Sequence, residues 1–218
     1  KNNYASKTHE LRLSDEERDW LATHHSIRLG LGTHMPPFQS TDSQGHLEGI
    51  AADYVRILEE RLGISIHIDT SYSPPEAVDA FIKGDIDGFP CISPDAARRS
   101  HMLFTKPYLT MPSVLVTRLD DSLVASLEDL GNKRLAVTSS AHLRTVRERF
   151  PEVNVILMED AKEALEQVAQ GEVDAALGNL GVLGRLIRTR GLANLKLSSR
   201  TALIEDRFAL GIRRDWPQ

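Results

Sequence analysis

Short apolar stretches and amphipathic stretches alternate along most of the chain. Residues 27–31 are apolar at alternate positions, as a strand with one buried face requires, whereas residues 50–62 repeat their apolar side chains at helical spacing. The same order continues with predicted helices at 75–83, 141–150 and 161–170 and predicted strands at 64–68, 86–89, 134–137, 153–157 and 173–177. This alternation predicts an α/β fold with mainly parallel sheets flanked by helices.

Residues 77–87 and 164–174 share one pattern. Each is an amphipathic helix that ends at a glycine, Gly84 or Gly171, followed by an acidic residue, an apolar residue and an aspartate that opens a strand. Two copies indicate two similar α/β lobes, because a solenoid needs at least about three units. The alternative is that helix–glycine–strand turns recur throughout α/β proteins, and the pattern alone leaves both explanations open.

The N-terminal region carries a local helix signal. Ser14-Asp-Glu-Glu17 has the form of a capping box and predicts a helix over residues 15–24. The ten residues that begin the sequence contain no apolar segment, so they do not read as a signal peptide.

Composition excludes several partners. The 218 residues carry 26 lysines and arginines against 31 aspartates and glutamates, a formal net charge of −5, with no block of like charges. Neither nucleic acid nor an anionic membrane surface is therefore an expected partner. No apolar run approaches the roughly 20 residues of a membrane-spanning helix. The single cysteine, Cys91, excludes an internal disulfide, and the histidines lack metal-ligand spacing, so no metal or cofactor is expected.

Several motifs, in one order, resemble the type 2 periplasmic binding proteins, two-lobed Venus flytrap proteins that include bacterial amino-acid binding proteins. The motifs are Ile27-Arg-Leu-Gly with Pro36-Pro-Phe38, Gly45-His-Leu-Glu-Gly-Ile50, Gly84-Asp-Ile-Asp87, Phe104-Thr-Lys-Pro-Tyr108, Leu127-Glu-Asp-Leu-Gly131 and Gly171-Glu-Val-Asp174. The resemblance implies a chain that leaves lobe 1, builds lobe 2 and returns, through two hinge crossings near 117–120 and 197–201. It implies a lead-in over residues 1–25, lobe 1 over 26–117 and 200–218, and lobe 2 over 118–199.

Residues 13–21 resemble the entry to flytrap sensor domains of membrane-bound histidine kinases, notably of the BvgS type, and of cyclic-di-nucleotide enzymes. The resemblance implies a non-catalytic periplasmic sensing domain of an inner-membrane receptor, cut from a longer chain that carries the signalling domains, with a homodimer left open. A small molecule would bind between the lobes and change the population of closed states. The alternatives are a binding protein of an ABC transporter and a dehydratase-like periplasmic enzyme, for which only Asp95 and His142 are candidate acid/base groups.

Four residues of lobe 1 are candidate ligand contacts. Arg98 stands six residues before Phe104, where related amino-acid binders hold the ligand carboxylate, and a guanidinium pairs with a carboxylate through two parallel hydrogen bonds. A surface ion pair is its plainer alternative. Ser93 matches a family serine that helps to hold the ligand. Cys91 falls where relatives carry a small residue and is expected to pack rather than react, and Met35 replaces an aromatic residue.

Three residues of lobe 2 complete the candidate site. Ser140 and His142 lie at a strand-to-helix turn, where free amides attract anions; a polar loop in which Ser140 caps its own helix is an equal alternative. Asn179 occupies the place of the aspartate that binds the ligand ammonium in amino-acid binders, and an amide supplies no countercharge. With Met35 and Pro74, which replace aromatic residues, this argues against a standard α-amino acid. A non-amino organic acid is expected, the alternative being an unliganded lobe pair that signals through a partner domain.

Overall fold

The computed structural model describes residues 11–32, 34–94, 98–122 and 124–216, apart from the side chains of 202–204; the candidate Asp95 therefore lies outside the described residues. The helices are α1 (Asp15–Thr23), α2 (Ile50–Leu62), α3 (Pro74–Lys83), α4 (Ser140–Arg149), α5 (Ala161–Gln170) and α6 (Leu180–Arg190). The strands are β1 (Ser26–Gly30), β2 (Ser40–Thr41), β3 (Leu47–Glu48), β4 (Ser65–Asp69), β5 (Gly88–Ile92), β6 (Met102–Phe104), β7 (Leu109–Arg118), β8 (Arg134–Val137), β9 (Asn154–Leu157), β10 (Ala175–Asn179) and β11 (Leu195–Arg213). Short 3₁₀ turns cover Arg98–Ser100 and Glu128–Leu130. Within this part of the chain no helix is both long and apolar enough to cross a membrane.

Helix ends follow the local sequence signals. The Oγ of Ser14 accepts a hydrogen bond from the Glu17 amide, and the Glu17 carboxylate accepts one from the Ser14 amide, so the predicted capping box starts α1. Gly63, Gly84 and Gly171 end α2, α3 and α5 with φ of 68°, 85° and 82°, a left-handed conformation that costs glycine no steric clash. The helix α6, in contrast, lies outside the predicted elements.

Nine strands form a continuous sheet in the order β4-β1-β5-β11-β7-β10-β8-β9, with β6 paired to β11. The outer pairs β1–β4, β1–β5, β8–β9 and β8–β10 are parallel. The long strands β7 and β11 are antiparallel to each other and connect the β1 side (β1, β4, β5, β6 and α1–α3) to the β8 side (β8–β10 and α4–α6). They form two crossings between the two sides.

The β1 side and the β8 side of the molecule each have their own hydrophobic core. On the β8 side, Leu135 and Val137 pack with α4, whereas the intervening Ala136 packs on the opposite face with α5 and α6. On the β1 side, one cluster lies under α2 and α1 and a second lies under α3. Helices therefore cover both faces on both sides, which is the layered arrangement that the strand–helix alternation predicts.

The strand register locates the change from one side to the other. β7 pairs with β10 from Ser113 to Val116, and the β7–β11 register shifts between Thr201 and Glu205, which lie opposite Ser113 and Pro112. Beyond this shift, β11 pairs with β5. This register does not test the lobe boundaries expected at residues 117 and 200, which stay predictions.

The repeated sequence pattern forms the same turn twice. Asp87 accepts the backbone N–H of Arg28 at 2.7 Å, and Asp174 accepts the backbone N–H of Arg134 at 2.8 Å. Each arginine also donates through its guanidinium to the carbonyl oxygen of the helix-ending glycine, at 2.9 Å in the first copy and 3.1 Å in the second. Because the long-range contacts repeat along with the sequence, the pattern marks two similar structural units.

Candidate functional site

The carboxyl ends of the parallel strands face each other across the two long strands. On the β1 side, Ile92 at the end of β5 pairs with Ala209, so β5 ends towards the middle of β11. On the β8 side, Asn179 at the end of β10 pairs with Ser113, next to the register shift. Ligands of open α/β sheets bind outside the carboxyl ends of the strands. Apart from Cys91, which lies within β5, the predicted site residues follow such ends: Met35 after β1, Ser93 and Arg98 after β5, Ser140 and His142 after β8, and Asn179 at the end of β10.

Arg98 lies beside Ser93 at the end of β5. It begins a 3₁₀ turn, is exposed, and donates from its guanidinium to the carbonyl oxygen of Ser93 at 2.9 Å. The adjacent Arg99 instead places its guanidinium over the ring of Phe104, 5.5 Å from the ring centroid. Two predicted contacts are therefore neighbours in space, and the two consecutive arginines have different surroundings.

Cys91 and Met35 belong to an apolar cluster rather than to a polar surface. Cys91 is 5% exposed and packs with Phe38 and Phe208, while Met35 lies at the edge of the same cluster. Burial raises the pKa of the Cys91 thiol to about 11, although a hydrogen bond with Tyr108 acts in the opposite direction. The thiol is therefore protonated at neutral pH, which fits packing rather than reactivity.

Phe38 connects the two sides of the molecule. It is 1% exposed, and its ring centroid lies 4.9 Å from that of Phe208 on β11. A methyl group added to Gly181, at the start of α6, would lie 2.7 Å from Cζ of Phe38, and Val182 packs at the edge of the same cluster. The loop after β1 thus contacts a helix of the β8 side directly.

His142 is buried in the first turn of α4. It is 4% exposed, and its Nε2 lies 3.3 Å from Oγ of Ser113 on β7. Its Nδ1 is also buried and has no hydrogen-bond partner among the described residues. Burial lowers the pKa of His142, while the negative charge of Asp206 on β11 acts in the opposite direction. The imidazole is consequently neutral at pH 7.

The start of α4 is capped one residue earlier than the alternative interpretation of Ser140 supposes. Ser139 is the N-cap, and its Oγ accepts the Ala141 amide at 3.2 Å. Ser140 is the first helical residue and is exposed. The interpretation of Ser140 as the cap of its own helix is therefore wrong, and its role as a ligand contact stays a prediction.

The side-chain amide of Asn179 has a fixed orientation. Its Oδ1 accepts the backbone N–H groups of Gly181 at 2.9 Å and Val182 at 3.4 Å, and so caps α6. The opposite end of the amide, Nδ2, donates to Oδ2 of Asp206 at 2.7 Å. The predicted ligand position at Asn179 is therefore adjoined by a carboxylate from β11.

Comparison with known families identifies this arrangement. The sequence profile of the bacterial extracellular solute-binding proteins, family 3, matches residues 27–178. The chain belongs to this family. The virulence sensor protein BvgS of Bordetella bronchiseptica is 27% identical over 165 residues, which are 75% of this chain and 13% of BvgS. The ABC transporter arginine-binding protein 1 of Escherichia coli is 24% identical over 183 residues, which are 79% of this chain and 72% of that protein.

A solved structure shares the fold. The crystal structure of the periplasmic VFT2 domain of Bordetella pertussis BvgS superimposes with a TM-score of 0.81 at 24% identity, covering 93% of this chain and 87% of that chain. Together with the family match, this likeness confirms the predicted type 2 periplasmic binding protein fold and the resemblance to sensor domains. The chain spans only 13% of the length of the BvgS relative.

Motif comparison missed two polar residues of this solute-binding domain, Ser113 and Asp206. Both lie on the long strands, where β7 and β11 pass between the two sides. The available signal for Asp206 was its position within residues 200–218, the segment expected to return to lobe 1, just before the apolar residues 208–212. A carboxylate before an apolar strand is common at protein surfaces, so this signal does not by itself indicate a site.

Ser113, His142 and Asp206 do not form a catalytic triad. Ser113 is 0% exposed, so its hydroxyl does not face the solvent, and no described carboxylate accepts a hydrogen bond from Nδ1 of His142. The described residues also contain no group of three or more histidine, cysteine, aspartate or glutamate side chains placed to hold a metal ion. The described cluster supplies hydrogen-bonding groups and charge, which suits binding.

Proposed function

We propose that this chain is the periplasmic ligand-sensing domain of an inner-membrane signalling receptor, and that it binds a small carboxylate-bearing molecule in the cleft between the β1 and β8 sides. The observation that carries the proposal is the opposition of strand ends, with Ser93 and Arg98 on one side and Ser140, His142 and Asn179 on the other. A small molecule placed there would be held by both sides at once.

Arg98 supports a carboxylate as one group of the ligand. Its exposed guanidinium lies beside Ser93, and a carboxylate can accept two parallel hydrogen bonds from it. On the other side, the N-terminus of α4 presents backbone amides near Ser140, which favour negative charge. Groups on both sides of the proposed cleft thus favour an anionic oxygen of the ligand.

Signalling follows from the difference between open and closed arrangements. A ligand that touches both sides binds the closed arrangement more tightly and increases its population. Closure changes the contact between Phe38 and the start of α6, since these groups belong to opposite sides. The similarity to a virulence sensor protein supports attached signalling domains as the recipients of this change.

A transport function is the second candidate. The arginine-binding relative is itself an ABC transporter protein, and the match covers 72% of its length. In that case the same closure would present the ligand to a permease. Fractionation of the native cells separates the two candidates: an antibody to this chain detects a long integral membrane protein if the receptor is correct, and a short soluble periplasmic protein if the transporter is.

Isothermal titration with a panel of small organic acids and amino acids tests the binding site. Arg98→Ala is expected to weaken the tightest ligand roughly 10- to 100-fold, since a hydrogen bond to a charged group is lost. Arg99→Ala is the matched control, because it removes an identical guanidinium that lies over Phe104. Equal affinities of Arg98→Ala and the wild type would reject the carboxylate site, as would equal losses in both variants.

A further inference from the structure

The two edges of the nine-stranded sheet differ in how their outward backbone groups are bonded. β4 forms one edge and β9 forms the other. In β4, the Ser65 amide donates inward to the carbonyl oxygen of His25, so the next amide, that of Ile66, points outward. The carboxylate of Glu59 accepts this outward N–H at 2.7 Å. A donor that is already bonded is closed to a further strand, so the β4 edge is protected at this position.

The β9 edge lacks such protection within the described residues. The amides of Asn154, at the start of β9, and of Met158, directly after it, donate inward to carbonyl oxygens at the two ends of β8. Alternate residues direct their backbone groups to opposite edges, so those of Val155 and Leu157 point away from β8. No described residue donates to or accepts from these outward groups. Since Leu157 is also 49% exposed, β9 is an open edge that can pair with a further strand.

A groove between β9 and α5 borders this open edge. It has a volume of about 610 Å³, and Ile156 and Met158, which pack towards α5, form part of its apolar lining. The carboxylates of Glu159, Glu163 and Glu172 also line it, and all three residues are exposed. The groove therefore combines an apolar surface and negative charge beside free backbone groups.

The charge of the groove decides between the occupants of such an edge. Among the described residues, the ion pairs use none of the three carboxylates, and Arg134, which also lines the groove, pairs with Asp174 at 3.4 Å. The groove therefore favours a basic occupant. A second copy of this chain is disfavoured, because antiparallel pairing of two β9 strands would place both α5 helices on one face of the joined sheet and bring like charges together.

We propose that the β9 edge and this groove are a docking surface for an extended segment of another protein, in which basic and apolar side chains alternate. Its backbone pairs with the outward groups of Val155 and Leu157, as strand addition requires. On the α5 face, lysine or arginine stems lie along Ile156 and Met158 while their charged ends reach the carboxylates. On the opposite face, apolar side chains cover the exposed Leu157. The surface uses none of the predicted ligand contacts, so it is independent of the proposed binding site.

A capped seven-residue peptide that alternates valine and lysine tests the surface by isothermal titration. It is expected to bind at least about 10-fold more tightly than the same peptide with glutamate in place of lysine, since only the first complements the carboxylates. A third peptide, with all its backbone amides N-methylated, keeps the charges but cannot donate to the strand, and should bind as weakly as the glutamate peptide. Amide hydrogen exchange should slow at Val155 and Leu157 on binding and stay unchanged at Ile66, on the protected edge.

Two double variants separate the groove from general electrostatic attraction. Glu159→Gln with Glu172→Gln removes two groove charges and is expected to weaken binding of the lysine peptide roughly 5- to 10-fold, as for the loss of two exposed ion pairs. Glu148→Gln with Glu152→Gln removes two exposed charges outside the groove, on the same β8 side, and should leave the affinity unchanged.

Leu157→Pro removes an outward N–H that makes no bond to β8 and should abolish peptide binding, with thermal unfolding as the check that the variant is folded. The inference is overturned if the lysine peptide does not bind the wild type, if it binds no better than the glutamate peptide, or if exchange at Val155 and Leu157 does not change. Equal weakening in the two double variants also overturns it. So does a dimer in sedimentation equilibrium that Leu157→Pro dissociates, since a second copy would then occupy the edge.

Discussion

The two sides of the molecule agree at one end of their strands and differ at the other. At the amino ends, Asp87 and Asp174 accept the backbone N–H groups of Arg28 and Arg134 at 2.7 Å and 2.8 Å, so the two turns have matching bonds. These turns lie at the opposite strand ends from the predicted ligand contacts, because each aspartate precedes its strand. The shared part of the two units therefore maintains the fold.

The carboxyl ends of the strands differ between the two sides. On the β1 side, the connection from β1 to α2 contains the short strands β2 and β3 and brings Phe38 against Gly181. On the β8 side, only residues 138 and 139 separate β8 from α4, and the first turn of this helix holds the buried His142. The two sides therefore share their turns at the amino ends of the strands and differ in the residues at the carboxyl ends.

The residues that follow the two aspartates, Gly88 and Ala175, are expected to give the largest difference in the free energy of unfolding between the two sides. A methyl group on Gly88 would contact the backbone of β11, within 3.1 Å of the carbonyl carbon of Gly211 and of Cα of Ile212. Gly88→Ala is thus expected to lower the free energy of unfolding by roughly 3 kcal/mol or more, because backbone atoms cannot move aside cheaply. The equivalent Ala175 already carries that methyl, and Ala175→Gly should cost only about 1 kcal/mol.

Urea unfolding of the two glycine/alanine variants measures this contrast directly. The buried volume changes by one methyl group in both, in opposite directions, so each variant controls for the other. A small effect of Gly88→Ala would mean that β5 and β11 separate easily at this point, and that the two sides tolerate the same residue.

Substitution of Asp87 and Asp174 is expected to give the next largest difference in the free energy of unfolding. Asp87→Ala leaves the Arg28 amide without its acceptor and is expected to cost about 2 to 3 kcal/mol, whereas Asp174→Ala should cost about 1 to 2 kcal/mol. The difference is expected because the Asp87 side chain is 12% exposed and that of Asp174 is 25% exposed, so water replaces the lost bond more readily at Asp174. Urea unfolding of both variants measures the ranking, and the reverse order would show that burial does not set it.

The buried histidine predicts a pH dependence that arises from the β8 side. Since the pKa of His142 is lowered in the folded protein, the unfolded chain binds more protons below its pKa of about 6.5. The free energy of unfolding is therefore expected to fall as pH decreases from 7 to 5, with Asp206 the charged group that opposes the shift. His142→Gln should flatten this part of the profile.

The exposed His67 on β4 supplies the control for this pH profile. His67→Gln should reproduce the wild-type dependence of urea unfolding on pH. If His142→Gln and the wild type lose equal stability between pH 7 and 5, the histidine does not contribute to the dependence.

Elements with local signals could be predicted from the sequence. The capping box of Ser14 and Glu17 and the closing glycines Gly63 and Gly171 act within a few residues, so helices α1, α2 and α5 followed from short windows. The helix α6 was missed because Asn179 was interpreted only as a ligand contact, although it is also an N-cap. One side chain with two compatible roles gives an ambiguous sequence signal.

The site depended on contacts that no short window contains. Asp206 on β11 meets Asn179 on β10 although β7 lies between these strands, and Ser113 on β7 meets His142 on α4. Strand order and register decide such pairs, and both result from packing of the whole sheet. The motifs could therefore indicate which strand ends carry the predicted ligand contacts but not which polar groups meet there.

The smallest predicted effect distinguishes stability from binding at the start of α4, which has a side-chain cap, whereas the N-cap of α2 is Gly49. Ser139→Ala removes the N-cap acceptor and is expected to cost about 1 kcal/mol in urea unfolding. Ser140→Ala, one residue further, should change stability by less than about 0.5 kcal/mol because Ser140 is exposed. If Ser140 contacts the ligand, its variant should instead weaken binding in isothermal titration. A larger loss of stability in Ser140→Ala than in Ser139→Ala would assign the capping role to Ser140 and would remove the separation between the residue that caps the helix and the residue predicted to contact the ligand.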